Sequence, residues 1–168
     1  VEVIKFVRSI DPDLKIALAG NYHPEIEKDI YDYCIAYNHD FPADVIERRK
    51  KEGKITTYYT CCTELAPNLF TISDPADGLL LGLEMVRKKS DGYLRWAYNS
   101  WPSEPLKDSR FHSFTSGDTF IAYPGGRSSI RLERLVQGIQ EYEKLRLMGR
   151  KNTISVIPQP LYIEESQG

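Results

Sequence analysis

Four short apolar runs, separated by segments of helical periodicity, are the feature that most limits the fold of this chain. The runs lie at residues 14–19, 33–37, 55–62 and 93–98, and each has the length and the β-branched or aromatic content of a buried strand. One helical segment ends before Asp11-Pro12. Two others span residues 42–53 and 74–86. Because helical crossovers join parallel strands, the pattern predicts an α/β fold with about four parallel β-α units.

Two architectures fit this pattern. One is a small open α/β sheet, and the other is the C-terminal half of a (β/α)8 barrel, which needs about 250 residues when whole. The length of 168 residues favours the open sheet. A chain that begins within a helix favours the half-barrel.

After the fourth run the regular alternation of strands and helices ends, and residues 99–128 are rich in Pro, Ser and Gly. We expect one more short strand at 119–123, a glycine-rich turn, and a long helix from about 128 to 148. An edge strand is possible at 153–162, where its prolines would be tolerated. The buried face of the long helix is predicted to carry Leu132, Leu135, Val136, Ile139, Tyr142 and Leu145.

Composition excludes several functional classes. The 22 Lys and Arg nearly balance the 24 Asp and Glu, with no basic stripe, so we expect no nucleic-acid partner. No apolar run approaches the roughly 20 residues of a membrane span. Three cysteines and three scattered histidines match neither a disulfide framework nor zinc spacing, so we expect no metal and no cofactor. Cys61 and Cys62 are expected to be buried and inert.

Residues 91–101, 116–125 and 128–144 carry three motifs in a fixed order, and residues 58–62 and 68–70 add two more. Together they resemble the C-terminal part of the glycoside hydrolase family 123 catalytic domain, over roughly residues 14–148. The resemblance implies a (β/α)8 barrel and a retaining β-N-acetylgalactosaminidase in which the acetamido oxygen of the substrate is the nucleophile. It also implies a bacterial protein in the periplasm or outside the cell.

The family places two catalytic roles on an adjacent Asp-Glu pair: one carboxylate orients the acetamido group and the other protonates the leaving oxygen. This sequence contains no Asp-Glu dipeptide. Either the pair lies in a preceding segment, which we favour, or catalysis has been lost; in both cases this chain alone should not hydrolyse glycosides. Residues 1–150 then form the half-barrel, residues 151–168 a strand or tail, and the partner is the missing N-terminal half or a homodimer mate.

Functional residues of a parallel barrel follow the carboxyl ends of its strands. Aromatic rings there can stack on a sugar while amides and carboxylates bind its hydroxyls. The predicted glycan-binding residues are Tyr37, Asn38, Tyr59, Glu64, Trp96, Tyr98, Asn99 and Trp101, with Asn21, Tyr22, Asp32, Asp40 and Cys62 as further candidates.

Two alternatives stay open. The protein could be a non-catalytic relative that binds a glycan. It could also bind a phosphorylated ligand at residues 125–129, where glycines, an arginine and two serines open a helix. We expect Asp118 and Arg131 to be structural, paired so as to hold the last helix on the barrel.

Overall fold

Four parallel strands form one sheet whose spatial order follows the sequence. The computed structural model describes residues 1–149. The strands are β1 (Ile16–Gly20), β2 (Ile30–Ala36), β3 (Ile55–Tyr59) and β4 (Gly92–Leu94), in the order β1-β2-β3-β4. Every neighbouring pair is parallel, so the predicted parallel α/β fold is confirmed.

The helices stand where the crossovers require them. Helix α1 (Glu2–Ile10) precedes β1, α2 (Ala43–Lys51) joins β2 to β3, α3 (Ala76–Arg87) joins β3 to β4, and α4 (Ile130–Met148) follows β4. The link from β1 to β2 contains only a short 3-10 turn, Glu27–Asp29. No helix in the described part of the chain is both long enough and apolar enough to cross a membrane.

The core lies between the sheet and the helices on one of its faces. Tyr33 and Ile35 of β2 and Tyr58 of β3 pack there with Leu81 and Met85 of α3. The hydroxyl of Tyr58 donates a hydrogen bond to the carbonyl of Leu81. Because side chains alternate along a strand, the intervening residues point to the opposite face. Ala17 and Ala19 of β1 stay exposed there in the described chain.

The fourth and fifth expected strands differ from prediction. The fourth stops at Leu94 instead of reaching 98, because the chain turns out of the sheet where the Arg95 side chain bonds Asp118. Residues 119–123 do not form a strand; they make only isolated bridges, such as that between Asn99 and Phe120. The expected edge strand and tail at 151–168 lie outside the described residues.

The packing face of α4 differs in part from prediction. The buried residues of α4 are Arg131, Leu135, Gly138 and Tyr142, while Val136 and Ile139 are exposed. The cause is a close approach of the two helices at glycine: a Cβ added to Gly82 of α3 would lie 2.1 Å from the Gly138 carbonyl oxygen. Leu135 and Tyr142 do lie on the predicted face, and Leu132 and Leu145 are partly buried against the core.

Candidate functional site

The carboxyl ends of β2 and β3 bring Asn38 and Glu64 together. The Asn38 Nδ2 donates to Glu64 Oε1 at 3.0 Å. The backbone N–H of Cys61 and the hydroxyl of Thr63 donate to the same carboxylate, each at 2.7 Å. Glu64 is 5% exposed, so these three donors fix a buried carboxylate beside an exposed amide.

Asn68 links Glu64 to the end of β4. Its Nδ2 donates to the carbonyls of Cys61 and Glu64, both at 2.7 Å, which holds the loop that presents the Glu64 carboxylate. Its Oδ1 accepts a hydrogen bond from Arg95 Nη1 at 3.4 Å. The amide of Asn68 is fully buried and uses both its donor and its acceptor capacity.

Asp118 completes the arrangement. Its Oδ1 accepts from Arg95 Nη2 at 2.7 Å and from Trp96 Nε1 at 3.2 Å. The Trp96 ring remains 45% exposed and lies 5.1 Å from the Phe114 ring, between centroids. Such a ring, fixed on one side and open on the other, can stack on the apolar face of a sugar. We call the connected residues the strand-end network; its members are Asn38, Glu64, Asn68, Arg95, Asp118 and Trp96.

The expected pair of Asp118 with Arg131 does not form. Asp118 pairs with Arg95, whereas Arg131 Nη1 donates to the carbonyls of Leu69 and Gly117, at 2.6 and 2.7 Å. Burial lowers the pKa of the Arg131 guanidinium. Arg131 therefore still holds α4 on the loops above the sheet, but through carbonyl groups.

Tyr37 and Tyr59 end neighbouring strands and point to opposite faces. The Tyr37 N–H donates to the Tyr59 carbonyl at 2.9 Å. The Tyr37 ring packs on the helix side, 6.0 Å from the Tyr58 ring, and Lys88 Nζ lies 5.0 Å from its centroid. Tyr59 lies on the other face, and burial raises the pKa of its hydroxyl. Of the two rings, that of Tyr59 is placed on the face that the helices leave open.

Tyr98, Asn99 and Trp101 form a second group. Tyr98 and Asn99 pair with residues 120–122, and Trp101 Nε1 donates to the Ala122 carbonyl at 2.7 Å. Tyr98 lines a cavity of about 400 Å³ between β4 and α4, which we call the outer groove. Other lining residues of the outer groove are Tyr93, Arg95, Ile121, Leu132, Leu135 and Ile139. Tyr98 thus faces the helix layer, and only Arg95 belongs both to the outer groove and to the strand-end network.

The further candidates have local partners. Asp40 accepts from Lys88 Nζ at 2.7 Å, and Asp32 accepts from the Thr57 hydroxyl at 3.4 Å. The carbonyl of Asn21 accepts from the Tyr33 hydroxyl at 2.7 Å, and Tyr22 packs on an aromatic ring of the core.

Cys61 is partly buried and Cys62 is exposed, so the expectation of two buried cysteines is wrong for Cys62. The reason is that β3 ends at Tyr59, two residues before this pair. Among residues 1–149, no three His, Cys, Asp or Glu side chains cluster as metal ligands would.

The glycine-rich turn uses its polar groups internally. The Ser129 hydroxyl accepts from the N–H of Leu132 at 3.1 Å and so caps α4. Arg127 Nη1 donates to the Pro124 carbonyl at 3.0 Å, and the Ser128 hydroxyl donates to Glu133. These bonds leave the phosphate alternative without a supporting observation.

Sequence reasoning missed two organisers of the site, Asn68 and Arg95. A signal for Arg95 was present: a single charge inside the apolar run 93–98 requires a buried partner. The identity of that partner, Asp118, depends on the loop path and could not be read from spacing.

Comparison with known proteins places this arrangement in context. The family model described as the glycoside hydrolase 123 catalytic domain matches residues 1–148. A solved structure of a family 123 glycoside hydrolase from Clostridium perfringens, described in terms of glycolipid glycan hydrolysis, is 27% identical with a TM-score of 0.76. The match covers 87% of this chain and 28% of that one, so the chain spans less than a third of its solved relative. No curated protein matches the chain.

Proposed function

Since the chain belongs to the glycoside hydrolase 123 catalytic-domain family, we propose that it forms the sugar-binding half of a carbohydrate-active (β/α)8 barrel. Its ligand is a β-linked N-acetylhexosaminide, in particular an N-acetylgalactosaminide. In this proposal the strand-end network is one wall of the substrate cleft.

The observation that carries the proposal is the connection of an exposed amide to an exposed ring at the carboxyl edge of a parallel sheet. Asn38 offers hydrogen bonds to sugar hydroxyls or to an acetamido group, and Trp96 offers a stacking surface. Sugar sites combine these two kinds of contact. The carboxyl edge is also where barrels of this type place their functional residues.

The chemistry is divided between this chain and the rest of the barrel. In a substrate-assisted retaining mechanism, the acetamido oxygen attacks the anomeric carbon while a carboxylic acid protonates the leaving oxygen. The present sequence has no Asp-Glu pair for these tasks. Glu64 accepts three hydrogen bonds on its two oxygens, which suits a carboxylate that orients Asn38 better than one that delivers a proton.

The half-barrel assignment draws support from the sheet itself. In the described residues, β1 and β4 each have one neighbouring strand, so both edges of the sheet are open. Open parallel edges of this kind are normally covered. A complementary four-stranded half or a second copy of the chain would cover them and complete the cleft.

A binding titration tests the proposal. Methyl N-acetyl-β-D-galactosaminide is titrated into the chain and followed by calorimetry, with methyl β-D-glucoside as the control sugar. We expect binding of the first sugar alone, weakened about tenfold by Asn38→Ala or Trp96→Ala, since each removes about one direct contact. Leu14→Ala, which truncates an exposed side chain before β1, is the matched control and should leave binding unchanged. Equal weakening by all three variants would contradict the site.

A second candidate function is glycan binding without catalysis, which is compatible with a chain that carries no Asp-Glu pair of its own. A turnover assay distinguishes the two candidate functions. The chain is mixed with the remainder of the barrel of the Clostridium perfringens relative, and hydrolysis of an aryl N-acetyl-β-galactosaminide is measured. Turnover by the mixture and not by the chain alone supports the hydrolase. Binding of the sugar without turnover supports the binder, and turnover by the chain alone contradicts the division of roles.

A further inference from the structure

Hydrogen bonds connect two parts of the proposed cleft, a polar wall and an aromatic wall, through one buried carboxylate. The polar wall is Asn38 with Glu64, and the aromatic wall is Trp96 with Phe114. Between them lies Asp118, which is 1% exposed. Asp118 itself is too deeply buried to bind a ligand directly.

Asp118 reaches the aromatic wall directly. Its Oδ1 accepts from Trp96 Nε1 at 3.2 Å, which fixes the rotation of a ring whose other side is open to solvent. A hydrogen bond to an ionised group is stronger and more directional than one to a neutral acceptor. An unrestrained tryptophan with this exposure would lose side-chain entropy each time a sugar stacked on it.

Asp118 reaches the polar wall through Arg95. The guanidinium donates to the carboxylate at 2.7 Å and also to the Asp118 carbonyl, and its Nη1 contacts Asn68 Oδ1 at 3.4 Å. Asn68 in turn holds the carbonyl of Glu64. Arg95 is 5% exposed, so it depends on Asp118 to compensate its buried charge.

We infer that Asp118 is a positioning residue for glycan binding: it orients Trp96 directly and the Asn38–Glu64 pair through Arg95 and Asn68. The inference rests on the proposed function, because it assigns a role within the same site. It extends that proposal to a residue that no sugar touches.

The first test uses fluorescence without any sugar. The chain has two tryptophans, so a Trp101→Phe background leaves Trp96 as the single indole. In this background, Asp118→Asn should shift Trp96 emission to the red and increase its quenching by acrylamide. Asp108→Asn is the matched control: it weakens another Asp–Arg pair, with Arg110 at 2.7 Å on the surface, and should change neither quantity. Unchanged Trp96 fluorescence in a folded Asp118→Asn chain would overturn the inference.

The second test measures both walls. Asp118→Asn should shift the NMR signals of the Asn38 side-chain amide and weaken binding of methyl N-acetyl-β-D-galactosaminide about tenfold, the effect of one charge-assisted hydrogen bond. Unweakened binding, or an unmoved Asn38 signal, would contradict the positioning role. If the unsubstituted chain does not bind the sugar, the proposed function fails, while the fluorescence test still decides whether Asp118 orients Trp96.

A third measurement covers the case in which Asp118→Asn does not fold. In the unsubstituted chain, the indole N–H proton of Trp96 should exchange with solvent more slowly than the indole N–H proton of the free compound tryptophan amide, although Trp96 is 45% exposed. Exchange at the free rate would show that Asp118 does not hold the indole and would overturn the inference.

Discussion

At the scale of single residues, the most consequential side chain of the core is a charged one. Arg49 is 0% exposed and donates to Glu27 Oε1 at 2.9 Å, to Thr56 Oγ1 at 2.9 Å and to the Ile55 carbonyl at 2.6 Å. It ties the loop before β2 to the start of β3. The sequence shows only a charged run at the end of α2, and nothing in such a run distinguishes the buried member except that Arg49 stands four residues after the buried Val45.

The Glu27–Arg49 pair gives a prediction for stability. Glu27→Gln should lower the free energy of unfolding by about 3–5 kcal/mol at pH 7, because it leaves a buried guanidinium without its counter-charge. Glu52→Gln is the matched control: Glu52 is exposed and pairs with Arg48 and Lys54 in solvent, so its loss should lower the free energy of unfolding much less than Glu27→Gln does. Urea unfolding measures both values. Equal losses in the two variants would show that burial of the Glu27 pair contributes nothing.

The same carboxylate sets a pH dependence. Burial disfavours the ionised form of Glu27, but hydrogen bonds from Arg49 and Arg48 outweigh burial and lower its pKa below the ordinary value of 4.5. A lowered pKa in the folded state stabilises the fold at pH values above 4.5, and this contribution is lost as the pH falls toward the folded-state pKa. The difference in the free energy of unfolding between the wild-type chain and Glu27→Gln should therefore become smaller as the pH falls below 4.5. A constant difference down to acid unfolding would contradict this assignment.

At the scale of the elements, apolar periodicity located the helices and most of the packing face of α4, but it missed the glycines at the contact between α3 and α4. The predicted face of α4 includes Val136 and Ile139, which are exposed, whereas the buried positions at the contact include Gly138 of α4 and Gly78 and Gly82 of α3. A glycine has no weight in a search for apolar stripes, although it permits the closest contact between helices. A second limit concerns the site, because the expected fourth strand reaches residue 98 whereas β4 ends at Leu94. The strand ends that place Asn38 and Glu64 were predictable, since they depend on strand order alone.

The α3–α4 contact gives the second stability prediction. Gly82→Ala should lower the free energy of unfolding by about 1–3 kcal/mol, because its Cβ would lie 2.1 Å from the Gly138 carbonyl oxygen and force the helices apart. Helix propensity acts in the opposite direction by about 1 kcal/mol, so a stabilised variant would mean that the helices are not in close contact. The control is Gly20→Ala, where no heavy atom lies within 4 Å of the added Cβ, and urea unfolding should show little change.

At the scale of the whole molecule, the sheet is parallel as predicted, and its strands follow the order of the sequence. One face is covered by α2 and α3, and both sheet edges are open in the described residues. Sequence patterns could not decide between an open sheet and half of a barrel, because both give the same alternation of strands and helices. Two helices leave apolar side chains exposed: α1 presents Val3, Phe6 and Ile10, and α4 presents Val136 and Ile139.

The exposed faces predict association in solution. Apolar patches and unpaired strand edges favour contacts between molecules, so sedimentation velocity should show a mass that rises with protein concentration. Phe6→Lys or Ile139→Lys should weaken this association about tenfold, since burying one large apolar side chain contributes about 1.5–3 kcal/mol. Leu106→Lys is the control, because Leu106 is also exposed but lies in the loop after β4 and belongs to neither helix. A monomer at every concentration, or equal weakening by Leu106→Lys, would mean that α1 and α4 are not the faces through which the chain associates.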